Sequence, residues 1–367
     1  MVKYKGMKII IISQVCYPRL TPRSHRATEL AKELVRQGHK VTLYAFLGNY
    51  DYSQISESTG ILFKSLGNAK YGMPSNTKGQ GQKIWHRLGR IIGRPIIFPE
   101  CVMIPMVKNA IKSEGEIDLL ITIAVPHVIH FATSLADRSK VKNWIADCGD
   151  PFMGNPMYKL PFYFEWFERR WCKRCNYITV PVEEAINAYY SEYHDKIRVI
   201  PQGFDFENNN LAPYKKNRVP TFAYSGIFYK DLRDPSGMLD YLCTMDRDFK
   251  FVVYTKGIGL LQPYMERLKG KLEVRNYVPR EELLFELSKM DFLLNVLNKS
   301  GVQQPSKLID YALTKRPILN VSSEFNKEEQ RNLDEFLQAD YQHQYIVKDI
   351  EQYNIVNVAQ RFLGLTK

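Results

Sequence analysis

No apolar run in these 367 residues is long enough to cross a bilayer. The first residues, Met1 to Lys8, lead straight into a short strand-like run, Ile9-Ile10-Ile11-Ile12. That run is too short for a secretory signal core and no small-residue cleavage site follows, so a cytoplasmic location is expected. Cysteines are scattered at 16, 101, 148, 172, 175 and 243, which excludes a disulfide framework. Cys172 and Cys175 form a C-x-x-C, but no second pair and no nearby His pair completes a zinc site. A structural role is expected for them. The loop Gln14 to Thr21 lacks the G-x-G-x-x-G of a dinucleotide site, which disfavours nicotinamide and flavin chemistry. No D-x-D pair stands at the end of an expected strand, so neither a metal nor another cofactor is expected.

Acidic residues are scarce in one region. Between Lys64 and Lys112 there are nine Lys or Arg and one acid, Glu100, within a chain of net charge +12. Lys83, Arg87, Arg90 and Arg94 share one face of an expected helix, beside a stripe of Ile84, Leu88, Ile91 and Ile92 flanked by Trp85. Such a helix suits either an anionic membrane surface or a core with a solvated basic face. Gly89 and Gly93 weaken it. Basic and aromatic residues do not alternate there, and no nucleic-acid module is visible, so no nucleic-acid partner is expected.

A hydrophobic fraction of 45% and a charged fraction of 25% are those of a globular protein, and the length favours two domains. The chain opens as strand, helix, strand: Lys8 to Ser13, a helix capped by Thr21-Pro22 with Ala27, Leu30, Ala31, Leu34 and Val35 on one face and closed by Gly38, then Val41 to Phe46. This βαβ unit implies a parallel sheet. Further strands are expected at Leu119–Ile123, Trp144–Ala146, Ile178–Val180 and Arg198–Ile200, with helices at 161–175 and 182–193. Residues 206–218 are polar and turn-rich and read as a linker. A second alternating series follows. Its strands are Thr221–Tyr224, Phe249–Tyr254, Leu272–Val274, Asp291–Val296 and Ile318–Val321. Its helices are 236–245, 260–269, 280–289, 306–314 and 326–338, and a last one spans 349–363. The expected domains are 1–205 for an acceptor, 219–348 for a nucleotide, and 349–367 as a helix packing back on the first. Two such domains place a ligand cleft between the carboxyl ends of their sheets.

The segment Gln304 to Leu319 carries the sharpest chemical signal. Pro305 and Ser306 open a helix whose apolar face is Leu308, Tyr311 and Ala312, directly after a strand. Its unpaired N–H groups and the Lys307 charge suit a diphosphate, and Asp310 is placed to accept from sugar hydroxyls. The other reading is an ordinary strand-to-helix connection with surface charges. Lys230, four residues after Gly226, and Arg233 are further phosphate candidates, although Arg233 has Asp231 and Asp234 beside it. Arg19, Arg23 and Arg26, after the first strand, suit a phosphate, an anionic acceptor, or solvent. Asp150 and His127 both follow strand ends; the carboxylate could orient or deprotonate an acceptor hydroxyl, or cap a turn.

Taken in order, these motifs resemble the GT-B glycosyltransferases, particularly family-4-like bacterial enzymes of surface polysaccharide, capsule and O-antigen synthesis. The likeness runs from Met7-Lys8-Ile9-Ile10-Ile11-Ile12 and Gly38-His39-Lys40-Val41-Thr42 through Ile200-Pro201-Gln202-Gly203-Phe204-Asp205 and Tyr224-Ser225-Gly226 to Asn276-Tyr277-Val278-Pro279 and Pro305 to Pro317. It implies an α/β fold of two Rossmann-like, doubly wound parallel-sheet domains facing each other across a cleft. It also implies transfer of a hexosyl or N-acetylhexosaminyl group from a nucleotide-diphosphate sugar to a lipid-linked or polysaccharide acceptor. Asn276, Tyr277 and Val278 would meet the nucleobase, and Asp310 the ribose. Retention of configuration is implied, with a donor phosphate oxygen as base and Asp150 positioning the acceptor. With no metal, Lys230, Arg233 and Lys307 would stabilise the leaving diphosphate. An enzyme of this kind would sit peripherally on the inner membrane face, held by residues 64–112.

Two departures stand out. Of the two glutamates eight apart at the donor site of many relatives, Asp310 holds the second position and Val302 the first, whose role falls vacant or to Gln303 or Gln304. The D-x-R-D of a related subgroup reads Asp147-Cys148-Gly149-Asp150, and the glycine is expected to widen the acceptor side. Competing functions are a nucleotide-sugar epimerase of the same fold, which would need more acid–base side chains around the sugar, and a non-catalytic two-domain binding protein.

Overall fold

The computed structural model describes residues 6–70, 73, 100–155, 160–207, 209–298 and 307–366. The basic stretch 83–94, Pro305 and Ser306, and Val302, Gln303 and Gln304 lie outside the described residues. The chain divides into two units, Met1–Phe204 with Gln352–Lys367, and Asp205–Glu351.

In the first unit the chain runs β1 (Lys8–Ile12), α1 (Pro22–Arg36), β2 (Lys40–Ala45), α2 (Ser53–Thr59), β3 (Leu62–Ser65), α3 (Met103–Ser113), β4 (Ile117–Ala124), α4 (Val128–Leu135), β5 (Val141–Cys148), α5 (Phe164–Arg174), β6 (Tyr177–Val180) and β7 (Ile197–Val199). The strands form a parallel sheet of order β3-β2-β1-β4-β5-β6-β7. Both faces are covered, so β1 is apolar after Lys8: Ile10 and Ile12 enter one core and Ile9 and Ile11 the other. The Thr21 side chain accepts from the Ser24 amide at 3.3 Å to start α1, and Gly38 at φ 92° leaves it in the left-handed region.

The second unit comprises β8 (Thr221–Ser225), α6 (Ser236–Cys243), β9 (Lys250–Tyr254), β10 (Leu272–Arg275), α7 (Arg280–Leu287), β11 (Phe292–Val296), α8 (Lys307–Leu313), β12 (Ile318–Val321) and α9 (Lys327–Leu337). Its sheet is parallel, of order β10-β9-β8-β11-β12. Stacked Phe222, Phe251 and Phe292 fill its centre, with ring centroids 4.7 Å apart in both pairs. The final helix, α10 (Ile355–Gly364), belongs to the first unit. Its Val358, Ala359, Phe362 and Leu363 join Ala27, Leu30, Ala31 and Leu34 of α1 in one core.

Residues 206–218 follow directly on the boundary between the units and are fastened to the second: Ala212 N donates to Ser288 Oγ at 2.9 Å, and Tyr214 Oη to Asp291 Oδ1 at 2.7 Å. Two expected helices are corrected. Residues 182–193 form two short 3-10 turns, Glu183–Ala188 and Ser191–Lys196, in place of an α-helix. In 260–269, bonds of the i+3 type such as Tyr264 N to Leu261 O, at 2.9 Å, interrupt the α-helical ladder, of which Leu268 N to Tyr264 O, at 2.8 Å, remains. Pro263 lacks the N–H that ladder needs.

Candidate functional site

Each sheet reverses its direction of growth once, between β1 and β4 in the first unit and between β8 and β11 in the second. Crevices beyond the carboxyl ends of strands at such points are where open α/β sheets bind ligands. The second unit places two cations at its reversal point. Lys307, first residue of α8, sets its Nζ 4.1 Å from the ring centre of Tyr224 on β8 and 5.9 Å from that of Tyr311. Arg233 closes a short loop after β8. Its backbone exchanges both hydrogen bonds with Tyr229, at 3.2 and 2.7 Å, and its guanidinium lies 5.5 Å from the Tyr229 ring centre. Lys307 Nζ and Arg233 Nε are both enclosed, and among the described residues neither has a hydrogen-bond acceptor. Burial, and then the Arg233 charge, hold the Lys307 ammonium well below its ordinary pKa. Asp234 does not neutralise Arg233: its Oδ1 accepts from Ser236 N and Oγ, at 2.9 and 2.6 Å, at the start of α6. Lys307 Nζ and Arg233 Nε, enclosed and without a counter-charge among the described residues, form an anion-binding arrangement.

The surrounding candidates differ in position. Gly226 leaves β8 at φ 136°, where a side chain is strained, and a Cβ there would lie 3.2 Å from Tyr224 Oη. That turn brings Ile227 and Phe228 back over Tyr224, whose ring stacks on Phe228 at 4.1 Å. Lys230 is exposed in the loop; it is Arg233 whose charge reaches Lys307. Leu308 is a core residue of α8. Asn276 and Tyr277 are exposed and Val278 half-buried in the loop after β10, with Lys256 Nζ 4.1 Å from the Tyr277 ring centre. Asp310 is half-buried, and its Oδ1 accepts from Arg280 Nε at 2.8 Å. Arg280 begins α7 immediately beyond that loop, so it ties Asp310 to the segment expected at the nucleobase. Sequence reasoning missed Arg280 and read Tyr311 only as part of the apolar face of its helix. The Tyr311 hydroxyl accepts from Ser225 N at 2.7 Å and anchors α8 to the end of β8.

In the first unit, His127 is buried at the end of β4, with Nε2 2.9 Å from the Asp150 carbonyl. Nε2–H therefore donates and the ring is neutral; burial lowers its pKa to about 4, with Arg23 adding to the shift. Asp150 itself is exposed, so its backbone holds His127 while its carboxylate faces solvent. Gly149 does not widen this edge. A Cβ there would overlap the Arg23 guanidinium, which fills the space that the glycine leaves. Arg26 faces neither a ligand nor solvent. Its Nε and Nη2 bind both Asp147 oxygens at 3.0 and 2.8 Å, and it also donates to the Pro201 and Ile200 carbonyls. Among the described residues no group of three or more His, Cys, Asp or Glu is arranged to hold a metal ion.

A buried carboxylate next to this edge also escaped sequence reasoning, because Glu168 on α5 looks like one more helix surface acid. It is fully buried beside Trp171, and both its oxygens are enclosed without a regular hydrogen bond. Burial raises its pKa to about 7, offset in part by the nearby Met153 and Phe152 amides. Because the folded pKa lies above the unfolded value, near 4.5, its contribution is fully present below pH 4.5 and is lost as pH rises through 7. Glu168→Gln should therefore come close to the wild type at pH 4 and exceed it at pH 8 by about 3 kcal/mol. Urea unfolding at the two pH values reads the difference; parallel pH profiles would refute a buried neutral acid.

No protein-family model matches the chain, and no curated protein matches it. Solved structures do. A glycosyltransferase from Rickettsia africae ESF-5 aligns over 99% of this chain and 98% of its own, at 14% identity and TM-score 0.60. Anabaena HepE, in complex with UDP and glucose, aligns over 98% and 99%, at 10% identity and TM-score 0.59. A TarM variant from S. aureus, in complex with fondaparinux, alpha-GlcNAc-glycerol and UDP, aligns over 98% and 100%, at 11% identity and TM-score 0.57. The two parallel α/β units, of seven and five strands, thus have the fold of GT-B glycosyltransferase structures.

Proposed function

We propose that this protein transfers a sugar from a nucleotide-diphosphate donor to a lipid-linked or polysaccharide acceptor. The observation that carries the reading is the pair of cations Lys307 and Arg233, whose enclosed Nζ and Nε have no acceptor among the described residues, at the reversal point of the second sheet. A departing diphosphate supplies the negative charge that they lack. Fixed cations preorganised around it stabilise the leaving group without reorganising during the reaction. Solved structures of the same fold hold UDP, and one holds UDP with glucose, which supports a nucleotide ligand here. The reading extends to metal-independent transfer with retention, Asn276 to Val278 meeting the base, Asp310 the ribose, and Asp150 orienting the acceptor.

The first test is a thermal-shift screen of the purified chain against UDP, GDP, ADP and their sugar conjugates, with and without EDTA. A ligand that binds only the native state raises the Tm by mass action. A shift with one nucleotide, unchanged by EDTA and lost in Lys307→Ala, is expected; silence with all of them would remove the donor reading. Asp310 offers a finer check. Asp310→Ala should weaken nucleotide binding more than Asp310→Glu, because only the second keeps an acceptor for Arg280 and for a ribose hydroxyl. Equal losses would count against the ribose role.

A further inference from the structure

Helix α5 and the turn leading into it carry aromatic residues on both sides. One side faces the core: Phe164, Phe167, Glu168, Trp171 and Cys172 are buried. The other should be polar, yet Phe162, Tyr163 and Trp166 are 83%, 44% and 62% exposed. Phe162 and Tyr163 belong to the turn leading into α5, where Glu165 N bonds Phe162 O at 3.0 Å. Tyr163, Trp166, Arg170 and then Lys173 and Arg174 follow at helical spacing, so aromatic rings lead and cations trail along one face.

The charges on this face are not cancelled. The nearby acids Glu165 and Glu192 both go to Arg169, each at 2.7 Å. Arg170 lies 5.8 Å from the Trp166 ring centre, and its Nε has no acceptor among the described residues. Lys173 and Arg174 are exposed. Arg138 is drawn against the same helix end by a 3.1 Å bond to the Arg174 carbonyl, adding another cation. Contiguous exposed aromatics do not serve a solvated surface, and cations behind them select a negative one.

We infer that this face docks on an anionic lipid bilayer, with Phe162, Tyr163 and Trp166 at the depth of the headgroups and Arg170, Lys173 and Arg174 against their charges. Tyr and Trp favour that interface because one part of the ring system is apolar and the other polar. The patch is joined to the sheet edge already described through buried rings. Aromatic neighbours run from His127 to Phe152 at 4.9 Å, Phe164 at 6.0 Å, Tyr163 at 4.8 Å and Phe162 at 5.8 Å. A bilayer held here brings lipid-borne groups to the edge that carries His127 and Asp150. The inference uses none of the residues of the basic stretch 83–94, and it does not depend on nucleotide binding.

The test is sedimentation of the full chain with vesicles of phosphatidylglycerol and phosphatidylcholine in equal parts, against vesicles of phosphatidylcholine alone. The wild type should partition onto the first and not the second. Phe162→Ser with Trp166→Ser should lower partitioning at least tenfold while leaving the UDP thermal shift unchanged. Lys173→Glu with Arg174→Glu should weaken binding and flatten its salt dependence. Trp166 emission should move to the blue on binding, identified by its loss in Trp166→Phe. No partitioning by the wild type would overturn the inference. Equal partitioning by the aromatic double variant would also overturn it and assign docking to another surface, and concentration-dependent self-association abolished by that variant would assign the patch to a second copy of the chain.

Discussion

Lys307→Met is expected to lose nucleotide-diphosphate binding while gaining thermal stability. The two effects have one cause. Without a ligand, the Lys307 ammonium is enclosed against Tyr224 and Tyr311, has no acceptor among the described residues, and is repelled by Arg233. A methionine of similar length keeps the contacts with both rings and removes the desolvated charge. Substitutions of this kind contribute about 1–2 kcal/mol, or a few degrees in Tm. With a diphosphate present the balance reverses. A hydrogen bond to a charged group is worth about 1.5–3 kcal/mol, so binding should weaken by roughly 10- to 150-fold. The depressed pKa adds a second readout: an arriving anion draws the ammonium back toward its ordinary value, so wild-type binding takes up protons and weakens as pH rises. Calorimetry in buffers of different ionisation heat measures that uptake, which the variant should lack. A fall in Tm with an intact nucleotide response would make Lys307 a structural lysine.

Asp147→Leu is expected to cost about 3–5 kcal/mol, because it strands the Arg26 guanidinium inside the first unit. Arg26 joins α1 to β5 through both carboxylate oxygens and to the chain beyond β7 through the Ile200 and Pro201 carbonyls, and its guanidinium packs 5.0 Å from the Phe362 ring centre of α10. Burial alone would raise the Asp147 carboxyl; the Arg26 charge and hydrogen bonds, with Arg23 and Thr179, hold it below the usual range. The stability from this pair is therefore present above the unfolded carboxylate pKa and is lost as pH falls through the depressed folded one. Arg26→Leu combined with Asp147→Leu should recover part of the loss, since no charge is left buried. Only part returns, because the Thr179 hydroxyl and two carbonyls lose partners. Urea unfolding of the singles and the double gives the coupling energy; additive losses would show that the two side chains act independently.

Legibility followed burial pattern. Helix α1 was readable because its apolar residues recur on one face and Thr21, Pro22 and Gly38 mark its ends. The strands of both sheets other than β3 were readable as short apolar runs with turn signals between them. Helix α4 was not, since Val128 through Ser134 are all buried and an all-buried helix has no periodic face. Helix α2 buries nothing, and the edge strand β3 is half exposed, so neither had a pattern to find. Among the site residues, Lys307, Arg233 and Asp310 were visible as types at expected spacings, whereas Arg280 looked like an ordinary helix-opening residue.

From the sequence alone came two doubly wound parallel-sheet units and a cation at the start of the helix after β11, because alternation, caps and net charge are local properties of the chain. The tertiary structure alone decided which charges are spent. Arg26 and Arg23 read alike, yet one is consumed by Asp147 and the other fills the space above Gly149. Lys307 and Lys230 read alike, yet one is sealed against Tyr224 and the other stands in solvent. Burial and partner distance set the free energy of a charge, and both depend on residues distant in sequence that only the folded chain brings together.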